Sequence, residues 1–197
     1  MRNKILILAA VSAVVLTSTL VACKDTEAKK PSEERTPSPE EKIKRGEYLV
    51  NAIGCDDCHS PKRMGPQGPE IIPELRFSGY PAHRPVTKVS KAANTGEWML
   101  FGPDFTSFVG PWGMSFAANI TSDETGIGNW SEAQFIKALR EGKWMGQDNT
   151  RPLLPPMPWF AYKNLTNEDL GAIYAYLKTV PAVENVAPAP IAPADLK

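Results

Sequence analysis

Apolar and polar positions divide the chain into helical stretches separated by irregular ones. From Ile43 onward, Ile43, Gly46, Val50 and Ile53 fall on one face at helical spacing. They predict a helix from about Pro39 to Ile53. Ser38 is its N-cap, Pro39 takes the first helical position and Glu41 completes a capping box. Gly46 within such a helix costs about 1 kcal/mol relative to Ala, so its presence implies close approach by another element. A second helix opens at Ser131, with Gln134 completing the box and Trp130 stapled onto Phe135. Its buried face is Phe135, Leu139 and either Ile136 or Ala138, and Gly142 ends it. A third begins at Thr166, with Asp169 in the box and Leu165 against Leu170. Leu170, Ile173, Tyr174 and Leu177 repeat at i, i+3, i+4, i+7, and Pro181 stops it.

The stretches between these helices have no such period. Residues 60–118 are long, Pro/Gly-rich and aromatic, and predict few regular elements beyond a short strand or hairpin within 86–112. Unstructured loops of this length are uncommon unless they bind something. Trp98, Phe101, Phe105, Phe108, Trp112 and Phe116 are therefore expected to serve as core and as walls of a bound group. Residues 119–129 are dense in turn signals, and 146–160 form a second Pro-rich loop. The Ala/Pro-rich tail, 182–197, is expected to be extended or disordered. The 197 residues include 19 Pro and 14 Gly, and the formal net charge is zero. This suits one modest domain with appendages. No basic stripe suggests nucleic acid as a partner.

The chemistry concentrates at Cys55-Asp56-Asp57-Cys58-His59, a C-x-x-C-H pentapeptide and the attachment signature of a c-type haem. Two thiols three residues apart can each add to a vinyl group of the porphyrin. His59 is then held against one ring face, where its imidazole can bind iron. A structural zinc site needs four ligands, and the chain has three Cys and two His. A thioredoxin-type redox pair is expected near a βαβ pattern, whereas the flanks here read as helix and loop.

The N-terminus supplies an address. Arg2 and Lys4 precede an uncharged run from Ile5 to Ala22, a targeting pattern. Leu20-Val21-Ala22-Cys23 resembles a bacterial lipobox, which implies a diacylated Cys23 after removal of residues 1–22. The alternative is an uncleaved anchor, since the run could nearly span a bilayer. Either way the domain is expected to be exported and membrane-tethered, facing the periplasm or cell exterior. Residues 23–37 then form a solvated tether with a reach on the order of 20 Å. With all three Cys committed, no disulfide is expected.

The order of helix, C-x-x-C-H, loops, helix, Pro-flanked Met and C-terminal helix resembles class I cytochrome c over residues 38–181. The resemblance implies a mainly α fold with crossed N- and C-terminal helices around one haem. It implies Gly46 facing an aromatic of the last helix, here matched to Tyr174. A narrower likeness runs through Asn119-Ile120-Thr121, Thr125-Gly126-Ile127-Gly128, Trp130-Ser131, Ala138-Leu139-Arg140-Glu141-Gly142 and Pro156-Met157-Pro158. These look like haem domains in cytochrome c subunits of membrane-bound alcohol and aldehyde dehydrogenases, which commonly carry two or three C-x-x-C-H sites. This chain has one.

Six Met compete for the sixth iron position. Met157 sits in Leu154-Pro155-Pro156-Met157-Pro158, where prolines fix φ and remove donors, keeping the segment stiff. The resemblance points to the same residue. Met114, Met145 and His83 are the alternatives. His/Met ligation raises the reduction potential and leaves no vacant site for bond chemistry. The sequence thus predicts a lipid-anchored mono-haem electron carrier between extracytoplasmic redox partners, not an enzyme. The alternative is a fixed electron-transfer subunit of a dehydrogenase or oxidase complex. A haem sensor or enzyme with a displaceable sixth ligand is the third reading.

Overall fold

The computed structural model describes residues 35–90, 92 and 96–196. The expected signal segment, Cys23 and the tether up to residue 34 lie outside the described residues. No helix among the described residues is long and apolar enough to cross a membrane.

Five helices are present among the described residues: α1 (Pro39–Ala52), α2 (Cys55–His59), α3 (Glu132–Glu141), α4 (Trp159–Tyr162) and α5 (Asn167–Leu177). Their ends are set by the expected local chemistry. In α1, the Ser38 hydroxyl accepts from Glu41 N–H at 3.2 Å while Ser38 N–H donates to the Glu41 carboxylate at 2.8 Å. Ser131 and Thr166 cap α3 and α5 by accepting from the backbone N–H of Gln134 and Asp169, at 3.1 and 3.0 Å. The return arms of those two boxes are used elsewhere. Gln134 donates to Met145 O at 2.8 Å, and the Asp169 carboxylate takes Arg45 at 2.9 Å. Gly142 stops α3.

The main core lies where α1 and α3 pack on α5. Val50, Phe77, Ile127, Leu170, Ile173 and Leu177 are almost fully buried there, with Leu49, Phe135 and Leu139 beside them. Each such side chain contributes about 1.5–3 kcal/mol of transfer free energy. Gly46 is the point of closest approach, and a Cβ there would overlap the Ala172 carbonyl and lie 2.8 Å from Tyr176 Cβ. The expected aromatic partner is therefore corrected from Tyr174 to Tyr176. Tyr174 lies about half a turn away from Tyr176 around α5, where its ring meets Phe135 at 5.6 Å and its hydroxyl donates to Trp130 O at 2.5 Å. Ion pairs Lys42–Glu132 (2.8 Å) and Arg45–Asp169 (2.9 Å) link α1 to α3 and α5 at the surface. Pairs this exposed add roughly 0–1 kcal/mol.

The Pro/Gly-rich region is more regular than its composition suggests. Strands β1 (Lys62–Gly65) and β2 (Gly68–Ile71) form an antiparallel hairpin. Strands β3 (Leu100–Phe101), β4 (Ser107–Gly110) and β5 (Gly113–Phe116) form an antiparallel sheet in that order. Both tight hairpins close on the same pattern, Gly-Pro-x-Gly, at 65–68 and 110–113. Proline presets φ for the second turn position, and glycine suits the fourth.

The tail is extended, as expected, and docked. Asn185 donates to Ser78 O (2.6 Å) and Tyr80 O (2.9 Å) and accepts from Ala82 N–H at 2.8 Å. Ile191 exchanges backbone hydrogen bonds with Met114 at 2.8 and 2.9 Å. Leu196 closes a second small core with Val109 and Met114.

Candidate functional site

The short helix α2 carries the whole pentapeptide. Gly54, at φ 74°, turns the chain out of α1 directly into Cys55. Burial pushes the Cys55 thiol up to about 12, with the Asp56 charge adding to it. Burial, then Asp57, also raises Cys58. Neither thiol is in a disulfide. No cluster of three or more His, Cys, Asp or Glu side chains among the described residues is placed to hold a metal ion.

The imidazole of His59 is oriented by the backbone. Its Nδ1 lies 2.7 Å from Ala118 O, which can only accept. The proton therefore sits on Nδ1 and the Nε2 lone pair is free, the arrangement a ligating histidine adopts. Burial lowers the His59 pKa, the hydrogen bond to Ala118 opposing it in part. The neutral, ligating form is favoured.

Cys58 and His59 open into a cleft of about 1290 Å³, mouth included, whose surface is mostly apolar. Phe108, Phe116, Trp130, Phe135 and Leu139 line it, as do Met145 and, from the second Pro-rich loop, Leu154 and Met157. Of the six aromatics expected as walls and core, Phe108 and Phe116 line the cleft. Trp98, Phe101 and Phe105 are exposed, and Trp112 donates from its indole to Ser115 Oγ at 3.1 Å. Sequence position along a hairpin does not reveal which pleat faces inward until the register is known.

The cleft also sorts the candidate ligands. Met114 is buried in the second core, away from the cleft. His83 is exposed and does not line it. Met145 and Met157 both line it. Met157 packs against the main core, whereas Met145 is 37% exposed and held at φ 55°. The donor set fits a haem: two thiols at attachment spacing, an imidazole with a free Nε2, an apolar cleft and a thioether.

Two features escaped the sequence. Ala118 O acts through its backbone, for which side-chain identity carries no signal. Arg151 is the one Lys or Arg among the described residues lining the cleft. Its guanidinium lies over the Trp144 ring at 4.0 Å, and its Nη1 donates to Pro152 O at 3.0 Å. No carboxylate among the described residues forms an ion pair with it, and burial lowers its pKa. The nearby acid Asp148 is taken by Lys137.

A profile of the family described as Cytochrome c matches residues 43–181. The fructose dehydrogenase cytochrome subunit of Gluconobacter japonicus is 32% identical over 84% of this chain and 26% of its own length. The gluconate 2-dehydrogenase cytochrome c subunit of Pantoea cypripedii is 32% identical over 68% of this chain and 22% of its own. The cytochrome c subunit of the quinone-type alcohol dehydrogenase of Gluconobacter oxydans is 26% identical over 72% of this chain and 24% of its own. The chain thus spans about a quarter of the length of these curated relatives. With the profile covering the pentapeptide, most of the helices and most of the cleft lining, the chain belongs to the cytochrome c family.

Proposed function

We propose that this chain carries one haem c, joined to Cys55 and Cys58, with His59 and Met157 as axial ligands. We further propose that it passes single electrons as a subunit of an extracytoplasmic dehydrogenase complex. The observation that carries the haem assignment is His59, tied through Nδ1 to Ala118 O beside Cys58 in an apolar cleft. Bound haem supplies one-electron chemistry at its iron. The chain's own part would be to hold the ring in the apolar cleft and to offer it the His59 imidazole and the Met157 thioether. A thioether from Met157 favours Fe(II) and raises the potential. The crossing of α1 over α5 belongs to the same class I reading and is supported by the Gly46–Ala172 approach.

The relatives favour the fixed-subunit alternative over the lipid-anchored carrier that shuttles between partners, since those named are subunits of dehydrogenases. A surface feature points the same way. Trp98, Met99, Leu100, Phe101 and Phe105 are all at least 40% exposed, on and beside the edge strand β3. Aromatic and Met side chains are enriched at protein interfaces. Phe101 stacks edge-on at 5.3 Å against Phe108, which lines the cleft. Membrane attachment through a lipidated Cys23 completes the proposal and is motivated by the lipobox-like stretch alone. Mass spectrometry of the mature N-terminus tests it, and an intact Met1 would reject it.

The electron-transfer proposal is tested by haem staining after denaturing electrophoresis and by redox titration. Colour on the band is expected. Met157→Ala should lower the potential and let carbon monoxide bind the reduced protein, with haem still attached. Unchanged behaviour in Met157→Ala moves the ligand to Met145. A dehydrogenase encoded alongside should reduce the haem on mixing. Phe101→Glu should slow that step without moving the potential. Equal rates would return the shuttling-carrier reading.

A further inference from the structure

One side chain outside the pentapeptide ties α2 to the elements around it. Arg76 grips the Asp56 carboxylate in a two-pronged contact, Nε to Oδ1 at 3.0 Å and Nη2 to Oδ2 at 2.6 Å. The same guanidinium donates to Asn51 Oδ1 at 2.9 Å, at the end of α1. It donates to the Tyr176 hydroxyl at 3.1 Å, on α5. It also lies over the Phe77 ring at 4.4 Å. Asp56 accepts in addition from Ser60 Oγ at 2.6 Å, and that hydroxyl accepts from Phe77 N–H at 2.9 Å. One planar fork thus ties α2 to both long helices and to the segment behind it. Lysine, a point charge without a fork, does not offer this geometry.

Asp56 stands next to the first cysteine, inside the pentapeptide, with its side chain only 14% exposed. Among the described residues, Arg76 is the one cation within ion-pair distance of it. Removing one member of a shielded pair leaves the other uncompensated. We propose that Arg76 is a positioning residue for the haem-binding helix, and that its pair with Asp56 sets the charge balance beside the iron. This rests on the haem assignment above. An uncompensated anion there favours Fe(III), and an uncompensated cation favours Fe(II).

The experiment is a double-mutant cycle read by redox titration of the purified haem protein. Arg76→Gln exposes the Asp56 charge and should lower the reduction potential. Asp56→Asn leaves Arg76 unpaired and should raise it. The double variant Arg76→Gln/Asp56→Asn should return close to the wild type, and Arg76→Lys should fall between wild type and Arg76→Gln. Opposite signs for the two single variants are the signature of charge, because loosened packing alone would shift both the same way. Shifts of the same sign, or no shift, overturn the proposal. If Arg76→Gln fails to fold, Asp56→Asn decides it: a raised potential supports the proposal and an unchanged or lowered one refutes it. Wild-type protein without covalent haem would instead overturn the haem assignment, so the two failures are distinguishable.

Discussion

Gly46→Ala sets two effects of known sign against each other. Alanine improves intrinsic helix propensity by about 1 kcal/mol. The added Cβ, however, would overlap the Ala172 carbonyl of α5 and crowd Tyr176 Cβ at 2.8 Å. The obstacle is the backbone of a buried helix, not the far end of a flexible side chain, so relief requires α1 and α5 to move apart. Overpacking of this kind costs about 1–3 kcal/mol. Separation also loosens Leu49 and Val50 against Leu170 and Ile173, which puts the cost at the upper end. The net expectation is destabilisation of about 2 kcal/mol. For a domain of this size that lowers the Tm by roughly 4–8 °C, at about 2–4 °C per kcal/mol. Urea unfolding followed by far-ultraviolet circular dichroism measures it, and Gly46→Val should be worse. A Gly46→Ala variant as stable as the wild type, or more so, would refute the close approach of the two helices.

Three further outcomes are expected. Asn185→Ala leaves Ser78 O, Tyr80 O and Ala82 N–H without their partner and should cost about 1–3 kcal/mol in chemical unfolding; a neutral result would mean the tail is not docked. Burial raises the Tyr162 phenol to about 12, and its hydroxyl donates to Ile53 O at 2.9 Å. Because the folded pKa lies above the unfolded one, stability from Tyr162 is present below about pH 10 and is lost as pH rises toward about 12; Tyr162→Phe should flatten the alkaline limb of an unfolding-versus-pH curve. Arg151→Leu removes the one Lys or Arg among the described residues lining the cleft and should lower the reduction potential of the haem protein, read by voltammetry.

The termini of the long helices were legible because caps are local. Ser38, Ser131 and Thr166 bond to backbone three residues away, so neighbouring letters contain both partners. The C-x-x-C-H spacing was legible for the same reason, with Cys55, Cys58 and His59 within five residues. The hairpins were harder to read. Their Gly-Pro-x-Gly turns are present in the sequence, but β1 and β2 offer almost no apolar alternation, Lys-Arg-Met-Gly against Gly-Pro-Glu-Ile. Periodicity is silent where a strand buries so little.

Sequence by itself determined what depends on neighbours along the chain: the helix starts and stops, the C-x-x-C-H spacing and the need for a close contact at Gly46. Tertiary structure decided what depends on neighbours in space. It chose Tyr176 over Tyr174 as the partner of Gly46, because only the docking of α1 and α3 says which faces of α5 each one takes. It placed Met157 and Met145 in the cleft and Met114 in a separate core. It ordered the Ala/Pro-rich tail, whose Ile191 and Leu196 find burial on the sheet that β4 and β5 build. It brought Arg76 to Asp56 across twenty positions and to Tyr176 across a hundred. No local pattern encodes such pairings, because a guanidinium's reach fixes distance in space and leaves separation along the chain free.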